Sequence, residues 1–276
     1  MQEGTLTPAS YPRNNIADLR PLLGKTLVLV AHPDDELVMC GAMMQRMERA
    51  LVVFLTDGAP RAEGYWRQYG SRQAYADVRR EEAREALGLA RTAPVFLADH
   101  VAGGIADQEL FRNLPVAVAA VEKIVAQTGP ECILAPGYEG GHPDHDAACF
   151  IGSVVGRRRR LTVWEGPLYH RRADGRSVVQ AFPELTGREI EVRHEGPSLE
   201  TKLMMFAIYR SQGLVLESFR PELETFRPVA DYDFTRPPLP WKLNYEHWGW
   251  SMTGAEVSAA FAEYLRGERE EAGTDV

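Results

Sequence analysis

The chain has 276 residues, 45% hydrophobic and 25% charged, with 24 glycines and 18 prolines spread along its length, which excludes collagen, low-complexity disorder and coiled coil. The 39 acidic and 31 basic residues give a formal net charge of -8, a field that repels polyanions, so no nucleic-acid partner is expected. The length suffices for a large core, and one domain over residues 1–276 is expected, with an α/β core over 25–165 and an extension over 166–276.

After a polar, proline-containing lead-in, Thr26-Leu27-Val28-Leu29-Val30-Ala31 is a short apolar run rich in β-branched residues, which predicts a strand buried on both faces. From Asp35 a helix should follow, because Leu37, Val38, Met39, Met43, Met44 and Met47 recur at roughly helical spacing. Methionine in such a stripe fills core gaps. Leu51 to Leu55 repeats the strand signature and stops at Thr56-Asp57-Gly58. A helix over about 71–87, a strand over 94–97, a helix over 114–126 and a strand over 132–135 continue the alternation. The pattern predicts an α/β, Rossmann-like fold: a mostly parallel sheet with helices on both faces and ligands outside the carboxyl ends of its strands. Arg157 to Arg160 falls between a helix and a strand, where basic residues complement the helix dipole.

Beyond Leu161-Thr162-Val163-Trp164 the rhythm changes. Ser177 to Phe182 and Glu189 to Arg193 alternate around a Pro/Gly turn and predict a C-terminal antiparallel hairpin. A helix over about 198–210 follows, then an aromatic-rich segment over 219–250 read as irregular, and a last helix over about 254–266 before a polar tail. Tyr232, Trp241, Tyr245, Trp248 and Trp250 could wall a pocket or an interface between copies of a homo-oligomer; packing or subunit contact is the favoured expectation. Cys40, Cys132 and Cys149 lack a C-x-x-C spacing and predict buried free thiols in a reducing compartment. Met1 to Gly4 has no basic n-region before an apolar stretch, and no segment approaches the ~20 apolar residues of a membrane span, so a cytoplasmic protein is expected.

Chemistry concentrates at two strand ends. The first strand runs into Ala31-His32-Pro33-Asp34-Asp35-Glu36, and Pro33 biases His32 toward an extended backbone. Helix capping accounts for one acid there, not for a histidine and three acids within five residues. The fourth strand runs into Gly140-Gly141-His142-Pro143-Asp144-His145-Asp146. If the two strands are parallel neighbours, His32, Asp35 and His145 can converge, and two imidazoles with one carboxylate and an open position form the ligand set of a catalytic zinc. The same set accepts Fe2+.

These residues resemble the zinc-dependent N-acetylglucosaminyl deacetylases, the PIG-L or LmbE-like family, whose two hallmark motifs match A-H-P-D-D-E at Ala31 to Glu36 and H-P-D-H at His142 to His145. Supporting matches are Leu55-Thr56-Asp57-Gly58, the R-x-x-E-x-x-x-A-L-G of Arg79 to Gly88, and Lys202 with Tyr209-Arg210-Ser211-Gln212. The likeness covers about residues 25 to 215. It implies that His32, Asp35 and His145 hold the metal, Zn2+ or Fe2+, that Asp34 is the general base, and that His142 stabilises the oxyanion and protonates the leaving amine while Asp144 holds its ring. It implies hydrolysis of an N-acetyl group from an N-acetylglucosamine-type small molecule. Asp99, after the third strand, and Arg67, in the loop after the second, are expected to meet the substrate, whereas Ser211 and Gln212 are expected as a structural helix-end contact. The alternatives are an amidase of the mycothiol-conjugate type acting on a larger amide, or a non-catalytic sugar-binding module.

Other chemistries lack their signatures. No glycine-rich turn follows the first strand to cradle a pyrophosphate. Gly24-Lys25-Thr26 precedes its strand and has Leu19 where a P-loop needs glycine. His194-Glu195 has no second histidine at Ser198, and G-x-S-x-G is absent.

Overall fold

In the computed structural model, which describes residues 16–274, the strands are β1 (Lys25–Val30), β2 (Arg49–Phe54), β3 (Ala93–Phe96), β4 (Cys132–Pro136), β5 (Thr162–Gly166), β6 (Tyr169–Arg171), β7 (Ser177–Val179), β8 (Ile190–Arg193) and β9 (Leu223–Pro228). The main helices are α1 (Asp35–Cys40), α2 (Arg72–Leu89), α3 (Leu114–Thr128), α4 (Pro143–Arg159), α5 (Gly196–Ile208) and α6 (Gly254–Thr274). Met1 to Gly4 and most of the expected lead-in lie outside the described residues.

Seven strands form one sheet in the order β3-β2-β1-β4-β5-β9-β8. The first five are parallel, and β9 and β8 close the far edge antiparallel. Alternate residues of β1 serve opposite faces. Leu27 and Leu29 join a core with Val121, Phe150 and Phe261 from α3, α4 and α6, while Val28 and Val30 join one with Leu37, Met43, Met205 and Phe226. A fully buried side chain of this size contributes about 1.5–3 kcal/mol, so a strand apolar on both faces is stable only between two helical layers. Met39, Met43, Met44 and Met47 all fill the second core. The three cysteines are buried and free.

Chain order reverses between β1 and β4: from β1 the sheet grows one way through β2 and β3, and from β4 the other way through β5. The crossovers diverge to opposite faces there, leaving a crevice at the carboxyl ends of these two neighbours. Both His-Pro-Asp segments open into it.

The C-terminal part differs from expectation in pairing. The segments around Ser177 and Glu189 do not form a hairpin with each other: β7 pairs with β6 in a separate two-stranded ribbon, and β8 pairs with β9 inside the main sheet. Residues 219–250 are therefore not irregular throughout, since β9 runs between β5 and β8. Helix α1 is also shorter than its apolar stripe; it stops at Gly41, and a 3-10 turn over Met43–Arg46 carries the remaining methionines inward. Arg158 and Arg157, at the end of α4, pair with Glu268 on α6, and Arg158 also with Glu122 on α3. Among the described residues no helix is long and apolar enough to cross a membrane.

Candidate active site

Local structure turns each His-Pro-Asp segment into a rigid presentation of side chains. After β1, the Asp35 carboxylate reaches back to accept a hydrogen bond from the His32 amide at 2.8 Å. Asp34 adopts φ of 121°, a conformation non-glycine residues hold only when their surroundings over-determine it. Glu36, fully buried, accepts from the Asp34 amide at 3.0 Å and from the Tyr209 hydroxyl at 2.6 Å. After β4, His142 caps α4 with its ring: Nδ1 accepts from the Asp144 amide at 3.1 Å, and Pro143 takes the first helical position, where no amide is needed.

Three donors meet where the segments face each other. His145 Nε2 lies 3.3 Å from His32 Nδ1 and 3.1 Å from Asp35 Oδ1, and His32 Nδ1 lies 3.5 Å from Asp35 Oδ2. All three side chains are buried. A tetrahedral ion with ligand bonds of about 2.1 Å needs donors about 3.4 Å apart; the two imidazole nitrogens meet that spacing with one Asp35 oxygen beside each, which suits a zinc-class cation, and His142 also lies within ligating reach of His32 and His145. Beyond His32, Nε2 faces Asp144 Oδ2 at 3.3 Å, and Asp144 is fixed by the amides of Gln108 and Leu110 at 2.6 and 3.0 Å. Such a carboxylate–histidine contact orients a ligating ring and raises its basicity.

Asp144 was expected on the ring of His142. Its carboxylate instead lies closer to His32, and 4.0 Å from His142 Nδ1, because that nitrogen is occupied by Asp144's own amide. The acid facing His142 Nε2 is Asp107, with Oδ1 at 3.4 Å and otherwise without a hydrogen-bond partner. The sequence carried one hint of Asp107: it lies in the long connection between β3 and α3, and loops of that length are usually functional. Asp99 and Arg67 lie outside the cavity lining. A 3-10 turn over Leu97–Asp99 points Asp99 at Arg80 on α2, 2.7 Å away, and the largely exposed Arg67 pairs with Glu63 one helical turn back.

The supporting motifs act behind Asp34. Arg79 is buried, sits 3.0 Å from Asp34 Oδ1, and donates to the carbonyls of Pro33 and Gly58. Gly58 has φ of +62°, and a Cβ there would lie 2.8 Å from Pro33 Cδ and 3.1 Å from Arg79 Nη1, so only glycine permits the clamp. One turn further along α2, Glu82 accepts from the amide and hydroxyl of Ser211 at 3.0 and 2.5 Å. Arg79 was not singled out from the sequence as a site residue.

Electrostatics follow from this packing. Burial pushes the Asp34 carboxyl up to about 6, against the pull of Arg79. Burial also disfavours charge on His32, but Asp107, Asp144 and Asp35 outweigh it and hold that imidazole well above its ordinary range. For His142, burial and the neighbouring His32 lower the pKa. The groups open into a cavity of about 310 Å3. Trp250 meets His142 edge-on at 5.0 Å, and Tyr169 meets His145 edge-on at 5.2 Å. Tyr245, by contrast, is fully buried in the core.

Residues 27–155 match a protein family described as PIG-L, GlcNAc-PI de-N-acetylase. A 2'-N-acetylparomamine deacetylase of Streptomyces fradiae is 31% identical over 159 residues, which cover 52% of this chain and 56% of that protein. The match thus spans little over half the length of that curated relative. Among solved structures, a deacetylase of teicoplanin biosynthesis superimposes with a TM-score of 0.60 at 17% identity, over 75% of this chain and 98% of the other. A deacetylase of A40926 pseudoaglycone gives 0.59 at 17% identity, over the same shares. At that identity the likeness shows the fold.

Proposed function

From the match of residues 27–155 to the PIG-L family, we propose that the protein is a metal-dependent N-deacetylase of N-acetylated amino sugars, hydrolysing the acetamide to acetate and a free amine. The observation that carries this reading is the convergence of His32, Asp35 and His145, drawn from two strand ends, beside the buried carboxylate of Asp34. His32 Nδ1, Asp35 and His145 Nε2 would hold the metal, and zinc and iron both suit the donor set. When bound, such an ion polarises an amide carbonyl and lowers the pKa of water.

The chain's own groups supply the remaining steps. Asp34 takes the proton of the attacking water, and Arg79 holds its carboxylate in place. A base lifted by burial toward the operating pH suits both removing that proton and returning it to the leaving nitrogen. His142 Nδ1 accepts the Asp144 amide hydrogen, so the ring proton resides on Nε2, 3.4 Å from Asp107 Oδ1 in the wall of the cavity that both residues line. His142 therefore serves as a neutral hydrogen-bond donor to the oxyanion, and Asp34, in place of the expected imidazolium, protonates the amine. One water adds, the C–N bond breaks, and acetate and amine leave.

The test is acetate release from N-acetylglucosamine conjugates by zinc- or iron-loaded protein, with metal content measured alongside. The expected result is about one ion per chain, lost in His145→Ala. Metal-replete protein that releases no acetate from any N-acetylated sugar, or a His145→Ala variant with full metal content, overturns the proposal.

A further inference from the structure

The cavity is chemically divided between floor and rim. Every titratable histidine, aspartate or arginine that lines it is buried, from His145 at 1% to Asp34 and Asp35 at 7% exposure. Among the described residues, Arg79 is the one arginine or lysine in the lining, and it is already engaged by Asp34 and two backbone carbonyls. Above that floor the lining holds no charged side chain. The rim is built from four separate pieces of chain: Tyr65 from the loop after β2, Val179 from β7, Val215 with Phe219 from the segment after α5, and Trp248 with Trp250 from the stretch before α6.

Apart from the exposed Ser177 and Ser218, this rim is apolar where surface ordinarily is not. Tyr65 is 47%, Val215 42% and Trp248 47% exposed, so three of the large exposed hydrophobics of the described surface surround one opening. Apolar groups gathered at a cleft mark a binding surface rather than scatter. Trp248 stacks obliquely on Trp250 at 4.9 Å and approaches Tyr169 at 6.1 Å. Trp250 in turn touches His142, so the aromatic wall is continuous with the reacting centre.

We propose that the substrate's portion beyond the reacting acetamide is an uncharged aglycone with an apolar face, aryl or alkyl, seated against Tyr65, Val215, Phe219 and Trp248. This rests on the deacetylase reading above and narrows its substrate class. A phosphate or carboxylate on the aglycone would be desolvated against this rim with no free cation in the lining to receive it, and an amine would find the lining's carboxylates only on the buried floor. An apolar face gains by covering the exposed rings.

The experiment compares N-acetylglucosamine, its 1-phosphate, an aminoalkyl glycoside, and its phenyl and octyl glycosides. Acetate release is measured with the metal-loaded protein and calorimetric binding with the metal-free protein. The expected result is a kcat/KM for the phenyl or octyl glycoside about tenfold above the charged ones, with the same order in binding. Trp248→Ala should collapse that ratio, and Val215→Lys, which places a cation on the rim, should shift preference toward the 1-phosphate. A charged glycoside equal to or better than the apolar ones, or a ratio unaltered by both substitutions, overturns the proposal. If binding follows the expected order while no glycoside releases acetate, the assignment of the rim stands and the deacetylase reading fails.

Discussion

Replacing Lys202 with methionine removes one partner of an ion pair that water reaches from neither side. Lys202 Nζ lies 2.7 Å from Glu224 Oε1, and both side chains are 0% exposed. Glu224 also accepts from the amides of Ala42 and Met43 at 2.7 and 3.0 Å, and His194 Nε2 lies 2.8 Å from its other oxygen. The carboxylate therefore ties α5 and β9 to the turn that follows α1, the helix carrying Asp35. Methionine occupies nearly the volume of the lysine stem, so its effect reports the stranded charge rather than a void. Breaking a buried pair by removing one member costs about 3–5 kcal/mol, a large share of the ~5–15 kcal/mol that holds a protein folded. At about 2–4 °C per kcal/mol for a chain near this size, the melting temperature falls by about 6–20 °C. Burial works to raise the Glu224 carboxyl, but Lys202 foremost, then His194, hold it below the ordinary glutamate value. A depressed folded pKa contributes stability above the ordinary value that is lost as pH falls through the folded one. The difference between wild type and Lys202→Met should thus be largest near neutrality and shrink in acid. Urea unfolding at neutral and acidic pH measures it. Adding Glu224→Gln should restore part of the loss by removing the unpaired charge. A deficit under about 1 kcal/mol at neutrality, or one that does not shrink in acid, refutes the assignment.

Asp34→Asn should reduce acetate release by about 10²–10⁴-fold while metal content per chain stays as in wild type; turnover at the wild-type rate removes Asp34 from the base role. Asp99→Asn, which breaks only an exposed pair with Arg80, should alter neither kcat/KM nor stability beyond about 0.5 kcal/mol, and a large KM effect would return Asp99 to the substrate site. Gly141→Ala sets a Cβ 1.9 Å from the Tyr169 carbonyl oxygen, so β6 must move; a loss of about 1–3 kcal/mol in urea unfolding is expected, with reduced turnover because Tyr169 packs on His145. Added zinc should raise the melting temperature by mass action on the folded state and chelator should reverse it, whereas His145→Ala should show neither response.

What was legible in the sequence follows from where local chemistry and pairing agree. The buried parallel strands announce themselves as apolar runs, and His32, Asp35 and His145 follow from strand ends that turn out to be hydrogen-bonded neighbours. Strand β9 was illegible because Leu-Glu-Thr-Phe-Arg-Pro carries charges that look like surface. Glu224 is matched by Lys202, and Arg227 by Glu165 and Glu189, all inside the protein, and no local pattern reports partners so distant in the chain. Asp107 was missed for a related reason: its loop has no periodicity, and its relation to His142 exists only after folding. The tryptophans divided in a way composition alone could not show, Trp248 and Trp250 lining the cavity while Trp241 packs against the core and donates to the Arg171 carbonyl at 2.7 Å.

The adjacency of β1 and β4 also governs when the site can exist during folding. His32 and His145 are 113 residues apart in the chain, and two further strands and their helices lie between them. Closing so long a loop is slow relative to forming local helices. A refolding chain can therefore acquire its helices and the β1–β2–β3 half of the sheet before it can offer three donors to an ion. Metal uptake then reports completion of the long-range pairing, and the rate at which refolding protein captures zinc should follow the docking of β4 onto β1 rather than the earlier rise of helical structure.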